Sequence, residues 1–319
     1  MGQMLASALG VLGVGLASAQ EYPNRPIRII VPFAPGGGGD VLGRLVAQKL
    51  SEQLRQPVVV DNRPGASTII GTDLVAKAPP GGHTLLLNVP QIVQTASLYA
   101  KLPYDPLNDI LPVTDLVTSA VWLAVGTEKV QARTLKEYVE AARANPRDYS
   151  HASIGAGSGG HLLGYVLNEA NGLDTIHVAY RGSAPAMTAL LSGEVASVFL
   201  DYVTLKSQVA AGKVRLLAAT GTQRSPVTPA VPTLAEQGLP GFEAGTWAGL
   251  FLPGRTPREI VQRLEAEVRK ILVQPDYLAR IRDLGYEPGG ATHAQFVAQI
   301  RNEHARWGSL IKKIGIKLD

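Results

Sequence analysis

The sequence contains no cysteine, and this absence excludes several kinds of chemistry at once. Disulfide bonds, thiolate metal sites and thiol nucleophiles all require that side chain. None of the six histidines forms an HxxxH pair, so the pattern does not indicate a zinc site either. We therefore expect a protein that holds no metal ion and, since no other cofactor motif is present, no cofactor.

Charge is also scarce and is not concentrated anywhere along the chain. Charged residues make up 18% of the sequence, and 30 lysines and arginines against 26 aspartates and glutamates leave a net charge of +4. Because the basic residues are scattered, the sequence lacks the basic stripe of a nucleic-acid-binding protein. The small positive excess slightly favours a small anionic ligand.

Long apolar runs are absent except at the N-terminus. Residues 4–19 are apolar and small, and they end in Ala17-Ser18-Ala19, which matches an A-x-A cleavage site. The run is shorter than the ~20 residues that a membrane-spanning helix needs. These features predict a signal peptide over residues 1–19, cleaved after Ala19, and a periplasmic location. No lysine or arginine precedes the run, which leaves open a misplaced start codon or an inefficient signal. A buried N-terminal helix is the alternative to a signal peptide.

Short β-branched runs alternate with amphipathic segments through most of the remaining sequence. The run at 27–31 is typical of a strand, and the glycines at 36–39 are followed by apolar residues at helical spacing from Val41 onward. Asp40 stands where the N-cap of that helix is expected. A second series of strands and helices begins near Val121. This order predicts an α/β fold with mostly parallel sheets flanked by helices.

The size of the chain and its two series of elements predict two lobes. A length of 319 residues exceeds what one hydrophobic core usually serves, and the hydrophobic fraction of 45% is typical of a soluble globular protein. After a strand at 247–252 the pattern is helical to the end, with two long helices at 257–272 and 293–311. The pattern alone leaves open which lobe these last helices join.

Four glycine-rich loops follow predicted strands, at 32–40, 61–67, 154–161 and 179–183. In an open α/β sheet, ligands bind beyond the carboxyl ends of the strands. Glycine lets the backbone approach a ligand closely, and the N–H groups at a helix N-terminus favour an anion. Two such loops on separate lobes predict a site for a small carboxylate. For the first loop, a glycine-rich turn without a ligand is the alternative.

Two of these loops come close to known motifs without matching them. The first lacks the Lys-Ser or Lys-Thr of a P-loop, and the third glycine of a GxGxxG pattern would fall on Val41. The third loop has Ala156 where a GxSxG nucleophile elbow needs glycine before Ser158. A triad would also need a histidine and an aspartate, which the spacing does not place. We predict no catalytic residue, and the alternative is an exported serine hydrolase with Ser158 as its nucleophile.

Several side chains near these loops have two interpretations each. Ser158 either donates its hydroxyl to a ligand oxygen or caps the following helix. His161 faces the cleft or packs, and Arg181 pairs with a carboxylate or is solvated. Asp201 receives an ammonium or hydroxyl group of the ligand or caps a helix. Phe33 is an aromatic candidate for the cleft wall.

Five segments together give the chain a resemblance to a known family. They are RIIVPFAPGGGGD at 28–40, QPVVVDNRPGA at 56–66, GAGS with HL at 155–158 and 161–162, YRG with PA at 180–182 and 185–186, and WAGLF at 247–251. In content and order they resemble the Bug family, the TctC-like periplasmic substrate-binding proteins of tripartite tricarboxylate transporters. The likeness spans nearly all of the sequence after the predicted signal peptide.

The resemblance implies a periplasmic-binding-protein fold with two lobes joined by two crossing segments. Residues 20–121 and 247–319 would form the first lobe, with the C-terminal helices packed back on it, and residues 122–246 the second. It also implies that backbone groups and ordered waters hold a ligand carboxylate in a deep cleft that closes by hinge motion. The chain has Ser67 and Ala196 where glycine and aspartate are frequent in the family, so the identity of the carboxylate stays open.

The predicted function is therefore that of a solute-binding protein rather than an enzyme. It would capture a small carboxylate and deliver it, as a monomer, to the membrane permease of a tripartite transporter, with no nucleic-acid partner. A sensor that docks on a signalling receptor is a second alternative, because transport and sensing use the same closed surface. The predicted ligand-binding residues are Phe33, Pro35, Gly36, Gly37, Gly38, Gly39, Asp40, Asn62, Gly65, Ser67, Ala156, Gly157, Ser158, His161, Tyr180, Arg181 and Asp201.

Overall fold

The computed structural model of the protein describes residues 22–239, 242 and 245–318. The predicted signal peptide at 1–19 lies outside these residues. Within the described part of the chain, no helix is both long enough and apolar enough to cross a membrane.

Strands and helices alternate through most of the described chain. The strands are β1 (Ile27–Val31), β2 (Val58–Asn62), β3 (Thr84–Asn88), β4 (Ile110–Ser119), β5 (Trp122–Gly126), β6 (His151–Ser153), β7 (His177–Ala179), β8 (Ser197–Leu200), β9 (Val214–Ala219), β10 (Thr246–Pro253) and β11 (Glu287–Pro288). The helices are α1 (Gly38–Leu54), α2 (Ile69–Ala76), α3 (Gln91–Leu98), α4 (Leu135–Ala144), α5 (Gly159–Asn171), α6 (Ser183–Leu191), α7 (Tyr202–Ala210), α8 (Arg258–Leu272), α9 (Pro275–Asp283) and α10 (His293–Ile314). The sequence pattern does not indicate α3, β4, α9 or β11.

The strands form two sheets, and each sheet is the centre of one lobe. The first sheet has the order β11-β4-β10-β3-β1-β2, and the second has the order β7-β6-β8-β5-β9. The chain passes from the first sheet to the second between β4 and β5, and it returns between β9 and β10. The α/β class and the two-lobe architecture with two crossings are therefore confirmed.

Both sheets are mixed, whereas the sequence pattern predicts mostly parallel ones. In the first sheet β1 is parallel to β2 and β3, but β10 is antiparallel to β3 and β4. In the second, β6 is parallel to β7 and β8, but β5 is antiparallel to β8 and β9. The antiparallel pairings involve the strands next to the crossings, because a chain that arrives from the other lobe enters the sheet from the opposite end.

The first sheet is buried on both faces. Ile29 belongs to a core that α1, α8 and α9 complete, whereas its neighbour Ile30 belongs to a second core with α2, α3 and α10. Successive strand residues point to opposite faces, so a strand that is covered on both sides has an uninterrupted apolar sequence. The second sheet is covered in the same way, by α4 and α5 on one face and by α6 and α7 on the other.

The C-terminal helices pack against the first sheet. Helices α8 and α10 both contact β4, and α10 also lies against α3. The apolar stripe of α8 supplies Val261, Leu264 and Val268 to the core, and all three are almost fully buried. After α10, the Leu318 N–H donates to the Leu98 carbonyl at 2.8 Å. The first lobe is also where the family resemblance places these helices.

Candidate functional site

The loop after β1 on the first lobe touches the loop after β7 on the second. The Ala34 N–H donates to the Arg181 carbonyl at 3.0 Å, and the Gly38 N–H donates to Ser183 Oγ at 3.2 Å. A Cβ at Gly37 would lie 2.4 Å from Ser183 Oγ, so a side chain there would displace the Ser183 hydroxyl from this contact. These contacts, which we call the closing contacts, join the two lobes at the edge of the cleft.

A second set of contacts joins α3 of the first lobe to the loop after β6. Gln91 Nε2 donates to the Ala156 carbonyl at 3.3 Å. Gly157 has a φ of +73°, and a Cβ there would lie 2.3 Å from Leu98 Cδ1. Through this loop, the predicted residues Ala156 and Gly157 lie against the opposite lobe.

Behind these loops the lobes enclose a cavity of about 110 Å³. Helices α1 and α5, one from each lobe, begin at its wall, with Gly38 and Gly39 in one first turn and Gly159 and Gly160 in the other. The N–H groups in the first turn of a helix have no partner within the helix and carry a partial positive charge. Two helix N-termini around one cavity therefore favour a bound anion.

Three side chains with unpartnered polar atoms line the cavity and are not among the residues predicted from the sequence. Gln94 is fully buried, and neither its Nε2 nor its Oε1 has a hydrogen-bond partner. Gln91 Oε1 and Trp307 Nε1 are likewise buried without a partner. Buried polar groups are nearly always hydrogen-bonded, so a ligand or ordered water at the cavity would complete this set. The one sequence signal is the spacing of the two glutamines, three residues apart on one helix face.

Asp201 both caps a helix and lines the cavity. Its Oδ1 accepts hydrogen bonds from the N–H and the Oγ1 of Thr204, at 3.1 and 2.6 Å, as the N-cap of α7. Its Oδ2 accepts a hydrogen bond from the Tyr286 hydroxyl of the first lobe at 3.4 Å. Burial raises the pKa of the Asp201 carboxyl, and the hydrogen bonds from Thr204 and Tyr286 offset part of that rise.

Asp40 lies in the first turn of α1 and is not its N-cap, which corrects the sequence prediction. The N-cap is Gly37, because glycine allows the helix to begin before the aspartate. The Asp40 carboxylate turns back to accept hydrogen bonds from the Gly36 N–H and Asn62 Nδ2, both at 3.0 Å, and pairs with Arg44. Burial acts to raise its pKa, but these three hydrogen-bond donors outweigh burial and lower it. Asp40 and Asn62 thus stabilise the conformation of the first loop.

Five other predicted residues of the first lobe are outside the cavity lining. The Phe33 side chain is buried in the core of this lobe. Ser67 Oγ lies 3.0 Å from the Tyr99 hydroxyl, in a segment of positive φ that Gly65 begins. The five residues are Phe33, Pro35, Gly36, Gly65 and Ser67.

On the second lobe, the predicted polar residues have roles within the lobe. Ser158 is fully buried, and its Oγ accepts a hydrogen bond from the His161 N–H at 3.4 Å as the N-cap of α5. The Tyr180 hydroxyl donates to Glu194 Oε1 at 2.6 Å near the surface. The Arg181 side chain is exposed, and it is the backbone of this residue that meets the first lobe. The geometry therefore favours a cap for Ser158 and solvation for Arg181.

His161 belongs to a cluster of three histidine rings beneath the loop after β6. Its Nδ1 accepts a hydrogen bond from the Gly157 N–H at 2.9 Å, and its ring stacks on that of His177 with 3.8 Å between centroids. The His151 ring lies 5.2 Å from the His177 ring. Burial, with a smaller effect from the neighbouring rings, lowers the pKa of His151 to about 4 and that of His177 to about 3. The cluster is not arranged to hold a metal ion.

Comparison with known proteins leads to the same family as the sequence motifs. The family model described as the tripartite tricarboxylate transporter family receptor, TctC, matches residues 42–316. A UPF0065 protein in the tcbD-tcbE intergenic region of Pseudomonas sp. strain P51 is 41% identical to this chain, over 91% of this chain and 86% of its own. The protein BugT of Bordetella pertussis is 34% identical over 97% of this chain and 98% of its own.

Solved structures superpose on nearly the whole chain. Rpa4515 of R. palustris, with adipate, is 34% identical, with a TM-score of 0.89 over 93% of this chain and 99% of its own. The periplasmic binding protein BugD is 33% identical, with a TM-score of 0.88 over the same shares of the two chains. MatC of Rhodopseudomonas palustris, with bound malate, is 32% identical, with a TM-score of 0.86 over 91% of this chain and 100% of its own. The resemblance is confirmed, and the chain belongs to the TctC family of tripartite tricarboxylate transporter receptors.

Proposed function

We propose that this protein is a periplasmic solute-binding protein that captures a small carboxylate between its lobes and delivers it to the membrane permease of a tripartite transporter. The observation that carries the proposal is the cavity at which both α1 and α5 begin. A carboxylate there would accept hydrogen bonds from N–H groups at the positive ends of two helix dipoles. Because the helices belong to different lobes, the ligand would contact both only in the closed state and so favour closure.

Two of the structural relatives support a carboxylate as the ligand class. Rpa4515 is described with adipate and MatC with bound malate, and each is about one-third identical to this chain over nearly its full length. Both ligands are small acids of the kind that a helix N-terminus binds well. From these relatives we infer the class of ligand for this chain, but not which acid it binds.

The proposal includes the division into lobes and the cellular location. Residues 20–121 and 247–319 form the first lobe, residues 122–246 form the second, and the hinge lies at the two crossings. The apolar segment at 1–19 and membership of a receptor family support export to the periplasm. The permease is the partner, and we propose a monomer because hinge closure needs no second subunit.

The predicted site residues take two roles in this proposal. Gly38, Gly39 and Asp201 line the cavity and would contact the ligand. The others position the loops that cover it, through the closing contacts and through the contacts of Ala156 and Gly157 with α3. Release of the ligand then requires that the closing contacts break.

An exported hydrolase that uses Ser158 has no support from the geometry. Ser158 has no exposed surface, and its hydroxyl caps α5. A nucleophile must reach its substrate and lie beside a base that activates it. The proposal therefore assigns no catalytic residue.

A thermal-shift screen of residues 20–319 tests the proposal. The panel contains acids with one, two and three carboxyl groups, each beside its amide, and the protein is refolded first to remove any copurified ligand. Binding to the folded state raises its apparent stability, by about 2.7 kcal/mol at a hundredfold excess over Kd. We expect at least one carboxylate to raise the Tm while its amide does not. If no carboxylate raises the Tm, the proposal is wrong.

A further inference from the structure

The cavity lining contains one acidic side chain and no basic one among the described residues. The acidic side chain is Asp201, and no lysine or arginine of the described chain lines the cavity. A ligand carboxylate must therefore be held by uncharged donors. A second carboxylate at the α1 end of the same space would lie against the Asp201 carboxyl, because a Cβ at Gly38 would be 2.0 Å from Asp201 Oδ2. An uncompensated charge in such surroundings is strongly disfavoured.

The walls of the cavity are largely apolar. They include Leu42, Val117, Leu163, Phe199 and Trp247. The enclosed volume is about 110 Å³. A dry cavity of roughly 150 Å³ lined by aliphatic and aromatic side chains binds benzene, so this smaller cavity suits a ligand body no larger than one ring.

Two unpartnered donors line this apolar space, and one of them lies beside the N-terminus of α5. A Cβ at Gly159 would lie 3.9 Å from Gln94 Nε2, so the Gln94 amide is next to the first turn of α5. Both polar atoms of Gln94 lack a hydrogen-bond partner, and the side chain is fully buried. The Trp307 Nε1 adds a second buried donor without a partner at the same cavity. A buried donor without an acceptor destabilises the protein. A single bound carboxylate would supply the missing acceptor.

We propose that the ligand is a monocarboxylate with an apolar body no larger than one ring, and that Gln94 and Trp307 bind its carboxylate beside the N-terminus of α5. The inference rests on the proposed function and names its substrate class. One carboxylate satisfies the uncharged donors, and the apolar walls cover the rest of the ligand. The protein consequently discriminates against dicarboxylates and tricarboxylates.

Isothermal titration with five acids tests the ligand class. The probes are benzoate, cyclohexanecarboxylate, adipate, malate and citrate. We expect benzoate or cyclohexanecarboxylate to bind at least tenfold more tightly than each of the other three. If adipate, malate or citrate binds more tightly than both ring acids, the inference is wrong while the proposed function stands. If none of the five binds and the wider carboxylate screen also fails, the proposed function itself is wrong.

The variant Gln94→Leu tests the assigned residue. It removes the donor and keeps similar bulk, so we expect at least a tenfold loss of affinity for the tighter-binding ring acid. The Tm of the ligand-free variant should be unchanged or raised, because the wild-type amide has no partner to lose. Trp307→Phe should also weaken binding. The exposed Gln131→Leu is the matched control and should bind as the wild type does.

Two results would overturn the assignment of Gln94. One is unchanged affinity for the ring acid in Gln94→Leu. The other is a clear drop in the ligand-free Tm of Gln94→Leu, since this would show that the amide stabilises the protein without any ligand. Both results compare Gln94→Leu with its control Gln131→Leu, so they hold even if Trp307→Phe does not fold.

Discussion

At Gly37 the absence of a side chain lets the two lobes meet. An alanine there would place its Cβ 2.4 Å from Ser183 Oγ, so we expect Gly37→Ala to disfavour the closed state. A penalty of about 1.4 kcal/mol on closure would lower ligand affinity about tenfold. Titration with a carboxylate identified in the screen measures this loss. Ser183→Ala added to Gly37→Ala removes the obstructing hydroxyl and should recover part of the affinity. An equal loss in the single and double variants would contradict a steric cause.

Asp40 stabilises the first loop by accepting hydrogen bonds from the Gly36 N–H and from Asn62 Nδ2. Asp40→Ala leaves the Gly36 N–H and the Asn62 amide without this acceptor. We expect the free energy of unfolding to fall by about 1–3 kcal/mol, because Asp40 is buried. Urea denaturation measures this loss in the free energy of unfolding. The control is Asp61→Ala, which removes ion pairs to half-exposed arginines and should lower stability by about 1 kcal/mol or less. Equal losses in the two variants would contradict this role for Asp40.

At the residue scale, a local role can be read from the sequence, whereas a place in the cavity lining cannot. The four glycines of the first loop are recognisable because a glycine run directly before an apolar helix is typical of a loop whose backbone must approach another group closely. Gln94 and Trp307 were missed. A glutamine in an apolar helical segment is equally compatible with a surface position, and nothing near Gln94 in the sequence shows that an indole from the C-terminal helix lies at the same cavity.

At the scale of elements, the missed strand β4 shows where pattern reading fails. Nearly all of β4 is buried, so its sequence has no alternation of apolar and polar residues. It also contains Pro112 and Asp115, which are unusual inside a strand. The structure accommodates Asp115 because its Oδ1 accepts hydrogen bonds from the N–H groups of Gly290 and Ala291, at 2.8 and 2.7 Å. Those donors come from a distant part of the chain.

The histidine cluster makes the packing of α5 on β6 and β7 sensitive to acid. In the folded protein the pKa of His151 is about 4 and that of His177 about 3, below the ordinary value of 6.5. The unfolded chain therefore binds protons that the folded protein does not. The stability that the neutral histidines contribute is fully present above pH 6.5 and is lost as the pH drops toward 4. For His151 alone, the loss between pH 7 and pH 5 is on the order of 2 kcal/mol.

Melting curves between pH 8 and pH 4 measure this effect. We expect the Tm of the wild type to decrease as the pH is lowered below 6.5. We expect the Tm of His151→Gln to decrease less steeply. His304→Gln, on α10 outside the cluster, is the control and should keep the wild-type slope. The raised pKa of Asp201 acts in the opposite direction, because that carboxyl favours the folded state when protonated. A Tm that rises toward pH 5 would mean that Asp201 outweighs the histidines.

At the scale of the whole molecule, an engineered disulfide bond can hold the proposed closed state. The natural chain has no cysteine, so no other thiol competes for the bond. A Cβ at residue 37 lies 2.4 Å from Ser183 Oγ, so the pair Gly37→Cys and Ser183→Cys is close enough for a disulfide with small adjustments. Oxidation after loading should trap the ligand, and reduction should release it. The dissociation rate of bound ligand, before and after a reducing agent is added, measures this.

The lock has two informative controls. Gly37→Cys alone should release its ligand at the same rate in both conditions, because it cannot form the bond. The double variant oxidised without ligand should fail to bind until it is reduced. If the oxidised double variant exchanges ligand as fast as the reduced one, the closing contacts do not control access to the cavity.

The sequence by itself determined the family, the alternation of strands and helices, and the glycine loops that border the cleft. These features depend on residues that are close together in the chain, and local propensity and motif order express them directly. Only the tertiary structure decided the direction of the strands beside the crossings, the capping roles of Ser158 and Asp201, and the set of side chains that share the cavity. Gln94, Asp201 and Trp307 come to line one cavity only when two lobes pack around a common space, and a linear pattern does not encode that distance.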